Sequence, residues 1–389
     1  MARSWTSNLA RALTVAIACA CGCAVGTVFA DEAVPDLKTR SDGSDWPKFL
    51  GPRSDSKSTE TGIRTEWPEE GPPLVWTREL GEGYAMPATS AGRLFEFSRF
   101  GDREQLTCLK SETGELLWQQ DYPTGYVDKY GYDGGPRAQP VVDGDRVYTF
   151  GAEGTLTCYR VTDGEILWQI DTQKQFGVVQ NFFGVGSTPL VEGDLLLVQI
   201  GGSPPGSDRV PFEQLESNGT ALVAFDKRSG KVKYEAADEL ASYASPIVAD
   251  VAGHRWCFLF ARGGLLGLDP ANGAERFRFP WRAKILESVN ASTPVVAGDR
   301  VFISETYGPG SALLKVGDDD FDVVWADEEK SRRKALQTHW NTAVHHDGYL
   351  YASSGRHTSD AELRCIELET GEVQWSKPGM GRASMLYVD

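Results

Sequence analysis

A unit of about 50 residues, repeated along nearly the whole chain, constrains the fold more than any other feature of this sequence. Its clearest copy is residues 137–171, RAQPVVDGDRVYTFGAEGTLTCYRVTDGEILWQID. Residues 138–142 read as a first strand, and Asp143-Gly144 stands where a tight hairpin needs positive φ. Residues 146–150 alternate, with Val147 and Thr149 on one face and Tyr148 and Phe150 on the other. Gly151 to Gly154 turn into a third strand over 155–161, and Thr162-Asp163-Gly164 turn into a fourth that carries Trp168. One such meander exposes both its faces, and stacking copies of it removes that exposure.

The copies are present. First strands start at Met86, Gln139, Thr188, Ser245, Thr293, Thr342 and Ser384. Fourth strands end on an aromatic at Trp118, Trp168, Tyr234, Phe277, Trp325 and Trp375. Four strands at this period define an all-β fold, a β-propeller of four-stranded antiparallel blades, seven to eight in number with the last one incomplete. The rival is an all-β sandwich with coincidental turns, which does not explain aromatics at one place in six copies. Residues 73–80, PLVWTREL, read as a fourth strand with no first three before it, and residues 384–389 as a first strand with nothing after it. The two suit a closing blade shared between the ends, with the missing strands expected in a longer form.

The remaining segments divide simply. Residues 1–30 read as a secretory signal, with Arg3 and Arg11, an apolar run, and Val28-Phe29-Ala30 as cleavage site. Cys19 within it raises lipoprotein anchoring as a rival, and no membrane-spanning segment is expected after cleavage. The expected compartment is periplasmic or extracellular. Residues 31–72 are an extended arm, with Trp46 and Phe49 as candidates for docking on the propeller, and residues 73–389 are the propeller itself. The formal charge of −16 argues against nucleic acid or an anionic membrane surface as partner. Cys108, Cys158 and Cys365 hold one repeat position, too far apart for bridging, and read as small buried third-strand residues.

The T-G-x-x-x-W endings and the L-x-C/A third strands resemble repeats named for pyrroloquinoline quinone (PQQ), and those of outer-membrane assembly propeller lipoproteins. DWPKFLGPRSD, YGYDGGPRAQP, QNFFGVGSTPLVEGDLL and SSGRHTSDAELRCIE are similar to secreted PQQ-binding-like propellers of planctomycete bacteria. The resemblance implies a fold, commonly of eight blades, and no particular activity. A quinoprotein dehydrogenase would need Ca²⁺ ligands, an Asp base and a vicinal cysteine pair. The mature chain has no adjacent cysteines, and Glu287 and Asn290 are the ligand candidates. The histidines lack zinc spacing, and the acidic turn at Asp318–Asp320 lacks a following bidentate Glu.

The expected function is therefore an exported, non-catalytic binding or scaffold propeller that recognises an envelope or extracellular protein, or a small ligand. No cofactor is expected. The alternative is a quinone-dependent oxidoreductase using PQQ with calcium. Recognition belongs on the rim with long connections: 122–136, 172–186, 201–219, 306–310, 327–339 and 354–361. Just before the first strands, equivalent positions carry Tyr84, Arg137, Gly186, Tyr243, Ala291, Trp340 and Arg382, which should ring the mouth of the central channel. Asn290, His339 and Asn341 stand beside them, and Arg356 and His357 reach in from a neighbouring loop. Aromatics with arginines fit an acidic or ring-bearing ligand, although Arg137 and Trp340 could equally pack the loops together.

Overall fold

A computed structural model of the chain describes residues 33–38, 43–179, 182–328 and 331–389. The expected signal at 1–30 lies outside these residues. Among them are six antiparallel four-stranded sheets, spanning residues 88–123, 141–171, 190–236, 247–280, 295–326 and 344–378. Within each sheet the strands follow chain order from one edge to the other. These are the blades, and their buried side chains cluster between neighbours: Val147 and Tyr159 of the second pack with Phe95 and Leu106 of the first.

The first strands are short. Residues 138–140 were expected to open the second blade, but its ladder begins at Val141. The backbone N–H of Gln139 is instead committed sideways, to the Thr188 hydroxyl of the next blade at 3.2 Å. The same bond repeats from Thr188 to Ser245, from Ser245 to Thr293 and from Thr293 to Thr342, at 3.0 to 3.3 Å. A hydroxyl residue at the start of the third to sixth repeats thus ties four successive pairs of inner strands together.

The outer strands are joined differently. Each fourth strand carries a register shift at one place, so that the residue before the aromatic is left unpaired. The aromatic then sits opposite Cys108, Cys158, Ala224, Gly267, Leu313 or Cys365. Five of these six are small, which is why cysteine recurs there: it leaves room for the ring. All four described cysteines are free and buried.

From that position the ring lies over the glycine of the next blade's last turn. Trp118 covers Gly164, Trp168 covers Gly230, Tyr234 covers Gly273 and Trp325 covers Gly371. Each polar tip donates to the carbonyl three residues before that glycine: Trp118 to Val161 at 2.8 Å, Trp168 to Lys227 at 3.2 Å, Tyr234 to Pro270 at 2.6 Å, Trp325 to Leu368 at 2.8 Å. The fifth blade has an acidic turn instead of Thr-Gly, and there Phe277, which has no donor, packs on Phe321 at 5.0 Å.

Residues 73–80 form no strand. A strand needs a neighbour for its backbone bonds, and none is paired with them among the described residues. Trp76 nevertheless docks as an outer-strand aromatic does, over Gly114 with its indole N–H on Ser111 at 3.1 Å. Residues 384–389 are likewise held by single bridges. Tyr387 pairs with Lys57 of the arm, and the Asp389 carboxylate accepts from the Gly62 N–H. Trp46 pairs with Thr89 on the inner edge of the first blade, and the Val142 N–H bonds to Pro47. The arm therefore runs along the innermost strands, docked through Trp46 as expected.

Gly164 tests the docking. A methyl group there would meet the Trp118 ring at 2.5 Å, at a φ of +76°. Gly144 also has positive φ but open space around it. Gly164→Ala should cost about 2–4 kcal/mol in urea unfolding, against about 1 kcal/mol for Gly144→Ala. Equal losses would show that only backbone conformation matters and that the ring contact contributes nothing.

Candidate functional site: the channel mouth

The loops before the inner strands are pinned by backbone bonds across blades. The Tyr84 and Ala85 N–H groups both donate to Pro136, and the Tyr243 and Ala244 N–H groups to Asn290. This clamp, made in two of the repeats, carries Tyr84 and Tyr243 to the channel. Tyr84, Arg137, Gly186, Tyr243, Ala291, Trp340 and Arg382 all line one cavity of about 790 Å³, with His339 and Asn341. Trp46, Phe49 and Leu50 of the arm line it as well. The arm crosses farther along the inner strands, at Thr89 and Val142, and so forms the cavity floor.

Tyr132, Phe183 and Tyr307 complete the wall. They lie inside long loops, where no repeat position marks them, and the aromatic pairs Tyr130/Tyr132 and Phe182/Phe183 were the only signal for the first two. Phe183, Tyr243 and Trp340 meet mutually, with centroids 5.1 to 5.7 Å apart. The Tyr243 hydroxyl accepts the Phe183 N–H at 2.8 Å, which fixes the loop, and burial holds that hydroxyl well above its usual pKa. Trp340 remains 44% exposed.

The cationic residues differ among themselves. Arg137 donates to Asp128 at 3.0 Å and to the Gly135 carbonyl, and lies over the Tyr126 ring at 5.0 Å. Asp128 is buried and also accepts from the Tyr126 hydroxyl and the Tyr130 and Tyr132 N–H groups. Arg137 is thus a keystone of the 122–136 loop as well as a wall residue. His339 is buried, and burial first, then Arg382 and Arg356, pushes its pKa down to about 3. Its Nδ1 faces Arg382 at 2.6 Å and its Nε2 faces the Tyr307 hydroxyl at 2.9 Å. Arg356 is exposed, outside the lining, and lies over the Tyr307 ring at 4.7 Å.

Besides Arg356, three expected residues sit elsewhere or are occupied. Asn290 is buried, and its amide donates to Ala261 and Trp281 carbonyls. Asn341 donates to Ser353 and accepts the His339 N–H. His357 is exposed outside the cavity, its N–H on Asp360. Behind Tyr307, burial pushes Glu305 up to about 7 while Ser288 and the Gly308 N–H bond to it.

A calcium-bound quinone needs carboxylates at the cavity. None of the residues lining it is Asp or Glu. Glu287 is exposed on its loop, and Asn290 is buried outside the lining, its amide nitrogen donating to two carbonyls. Among the described residues no group of three or more His, Cys, Asp or Glu is placed to hold a metal ion. The residues present do not fit that cofactor with its metal.

Blades, aromatic docking and an axial cavity together define a PQQ-like repeat β-propeller. The chain belongs to the family described as outer membrane protein assembly factor BamB, whose model matches residues 102–377. Its fold is similar to the crystal structure of BamB from Moraxella catarrhalis, at 16% identity over 75% of this chain and 72% of that one, with a TM-score of 0.50. It is also similar to a europium-containing methanol dehydrogenase, at 15% identity over 76% of this chain and 69% of that one, with a TM-score of 0.51. No curated protein matches the sequence. Among the described residues no helix is long and apolar enough to cross a membrane.

The contrast between the arginines is measurable. Arg137→Ala leaves the Asp128 charge buried without its partner, and should cost about 3–5 kcal/mol in denaturant unfolding. A loss below about 1 kcal/mol would show that Arg137 is free for a ligand rather than tied into the loop.

Proposed function

We propose that this chain is an exported, non-catalytic recognition propeller that takes a ligand, or a partner's protruding side chain, into its axial cavity. The observation that carries this reading is convergence. Seven residues at one repeat position, from seven different loops, line a single cavity. Its size lies within the range of small-molecule sites, and its wall mixes eight Trp, Tyr and Phe rings with polar side chains that could orient a ligand. The family description names an assembly factor, which favours binding over chemistry.

Export follows from the segment at 1–30, whose charged start, apolar run and Ala30 site form a secretory signal. Outside the cytoplasm, the absence of disulfides among the described residues leaves stability to the blades. Periplasmic and fully secreted forms share this reading.

One experiment covers both parts. The chain recovered from the envelope or medium of its own cells should begin at Asp31, and native mass spectrometry should find it with a bound molecule or partner. Trp340→Ala should lose that companion while the melting temperature moves by only a few degrees, because Trp340 is half exposed. A chain still starting at Met1 would refute export. A companion kept by Trp340→Ala would move recognition away from the cavity.

A further inference from the structure

We propose that the cavity's ligand is a small organic anion with a flat unsaturated body, its charged end held by Arg382 and the Tyr307 hydroxyl, with the Arg356 guanidinium, stacked on Tyr307 outside the lining, adding to the positive field. The inference rests on the ligand-binding reading above and names the ligand's class.

Charge is distributed unevenly. The chain carries −16 overall, yet two guanidiniums and no carboxylate line the cavity. Arg137 is neutralised by buried Asp128. Arg382 has no carboxylate partner among the described residues, and its polar contact is to a neutral imidazole. Arg356 stacks on Tyr307 and likewise has no ion pair among the described residues. Two unpaired guanidiniums therefore flank one wall residue. Beside an apolar wall their field is screened less than in open water, which favours an anion from solution.

His339 determines which groups remain as donors. A guanidinium only donates, so Nδ1 facing Arg382 must present its lone pair. The ring is neutral, so Nε2 carries the proton and donates it to the Tyr307 oxygen. The Tyr307 hydroxyl proton is then left to donate elsewhere, and so are the other N–H groups of Arg382. Donors without acceptors meet at one end of the cavity, the complement of a carboxylate or a similar oxyanion. Beside them Phe183, Tyr243 and Trp340, the last with its ring 5.2 Å from that of His339, form an aromatic wall suited to a flat ring. The arm closes the floor, so a compact molecule fits better than a chain threaded through the channel.

The test is calorimetric titration of the full chain with three probes of one shape: naphthalene-2-carboxylate, naphthalene-2-carboxamide and 2-naphthylmethylammonium. The carboxylate should bind at least about tenfold more tightly than the amide, and the ammonium more weakly than both. Arg382→Gln and Tyr307→Phe should each weaken the carboxylate more than the amide, and so shrink the carboxylate's advantage to less than about threefold. Both variants should melt within a few degrees of the parent chain, and Tyr307→Phe keeps the test open if Arg382→Gln folds poorly. Equal affinity for carboxylate and amide, or an advantage that survives both substitutions, overturns the proposal. If no probe binds while Trp340→Ala still strips a natural companion, the small-anion proposal falls and the recognition reading stands. If neither is seen, both fall.

Discussion

The structure depends on one contact made over and over: an aromatic ring on an outer strand, lying on a glycine of the next blade. A four-stranded meander has two apolar faces and no means of covering them alone. The ring covers part of its neighbour, and its N–H or O–H fixes the rotation between the two blades through a single carbonyl. Three local features must agree for this to happen. The fourth strand must shift register beside the ring, the third strand must carry a small residue opposite it, and the receiving turn must hold positive φ without a side chain. Where the turn is acidic instead, Phe277 takes the place of a donor-bearing ring and finds Phe321.

Rotation between blades sets everything at the axis. Inner strands held at fixed angles meet sideways, so that the N–H of one reaches the hydroxyl of the next. The residues just ahead of them then point to a common centre. The cavity is thus a consequence of the outer docking, and its chemistry is added through loops that have no structural repeat to obey. Long loops contribute Tyr132, Phe183 and Tyr307, and the arm contributes a floor. Neutral His339 between Arg382 and Tyr307 shows how such a site gains precision: one ring with two nitrogens assigns the protons of both its neighbours.

Much of this was legible in the sequence, because repetition converts weak local signals into strong ones. A turn glycine or a cysteine means little once, but at one place in several repeats it reports a packing rule. The same logic placed Tyr84, Arg137, Tyr243, Trp340 and Arg382 around one channel from their offsets alone. What repetition does not encode was missed. The role of Arg137 depends on Asp128, nine residues earlier in a loop with no counterpart elsewhere. Asn290 sits at a repeat position, yet its amide serves the loop behind the wall. Residues 73–80 have the composition of a strand, and lack a paired neighbour among the described residues to make them one.

The central claim is that the rim of long loops delivers a cavity whose anion-holding end is Arg382 with Tyr307, and not Arg137. A crystal structure of the chain with naphthalene-2-carboxylate tests it most directly. The account predicts the carboxylate within hydrogen-bond distance, about 2.7–3.2 Å, of both Arg382 and the Tyr307 hydroxyl, with the rings against Trp340. A carboxylate seated on Arg137 with Asp128 displaced, or a ligand bound outside the cavity, would contradict it.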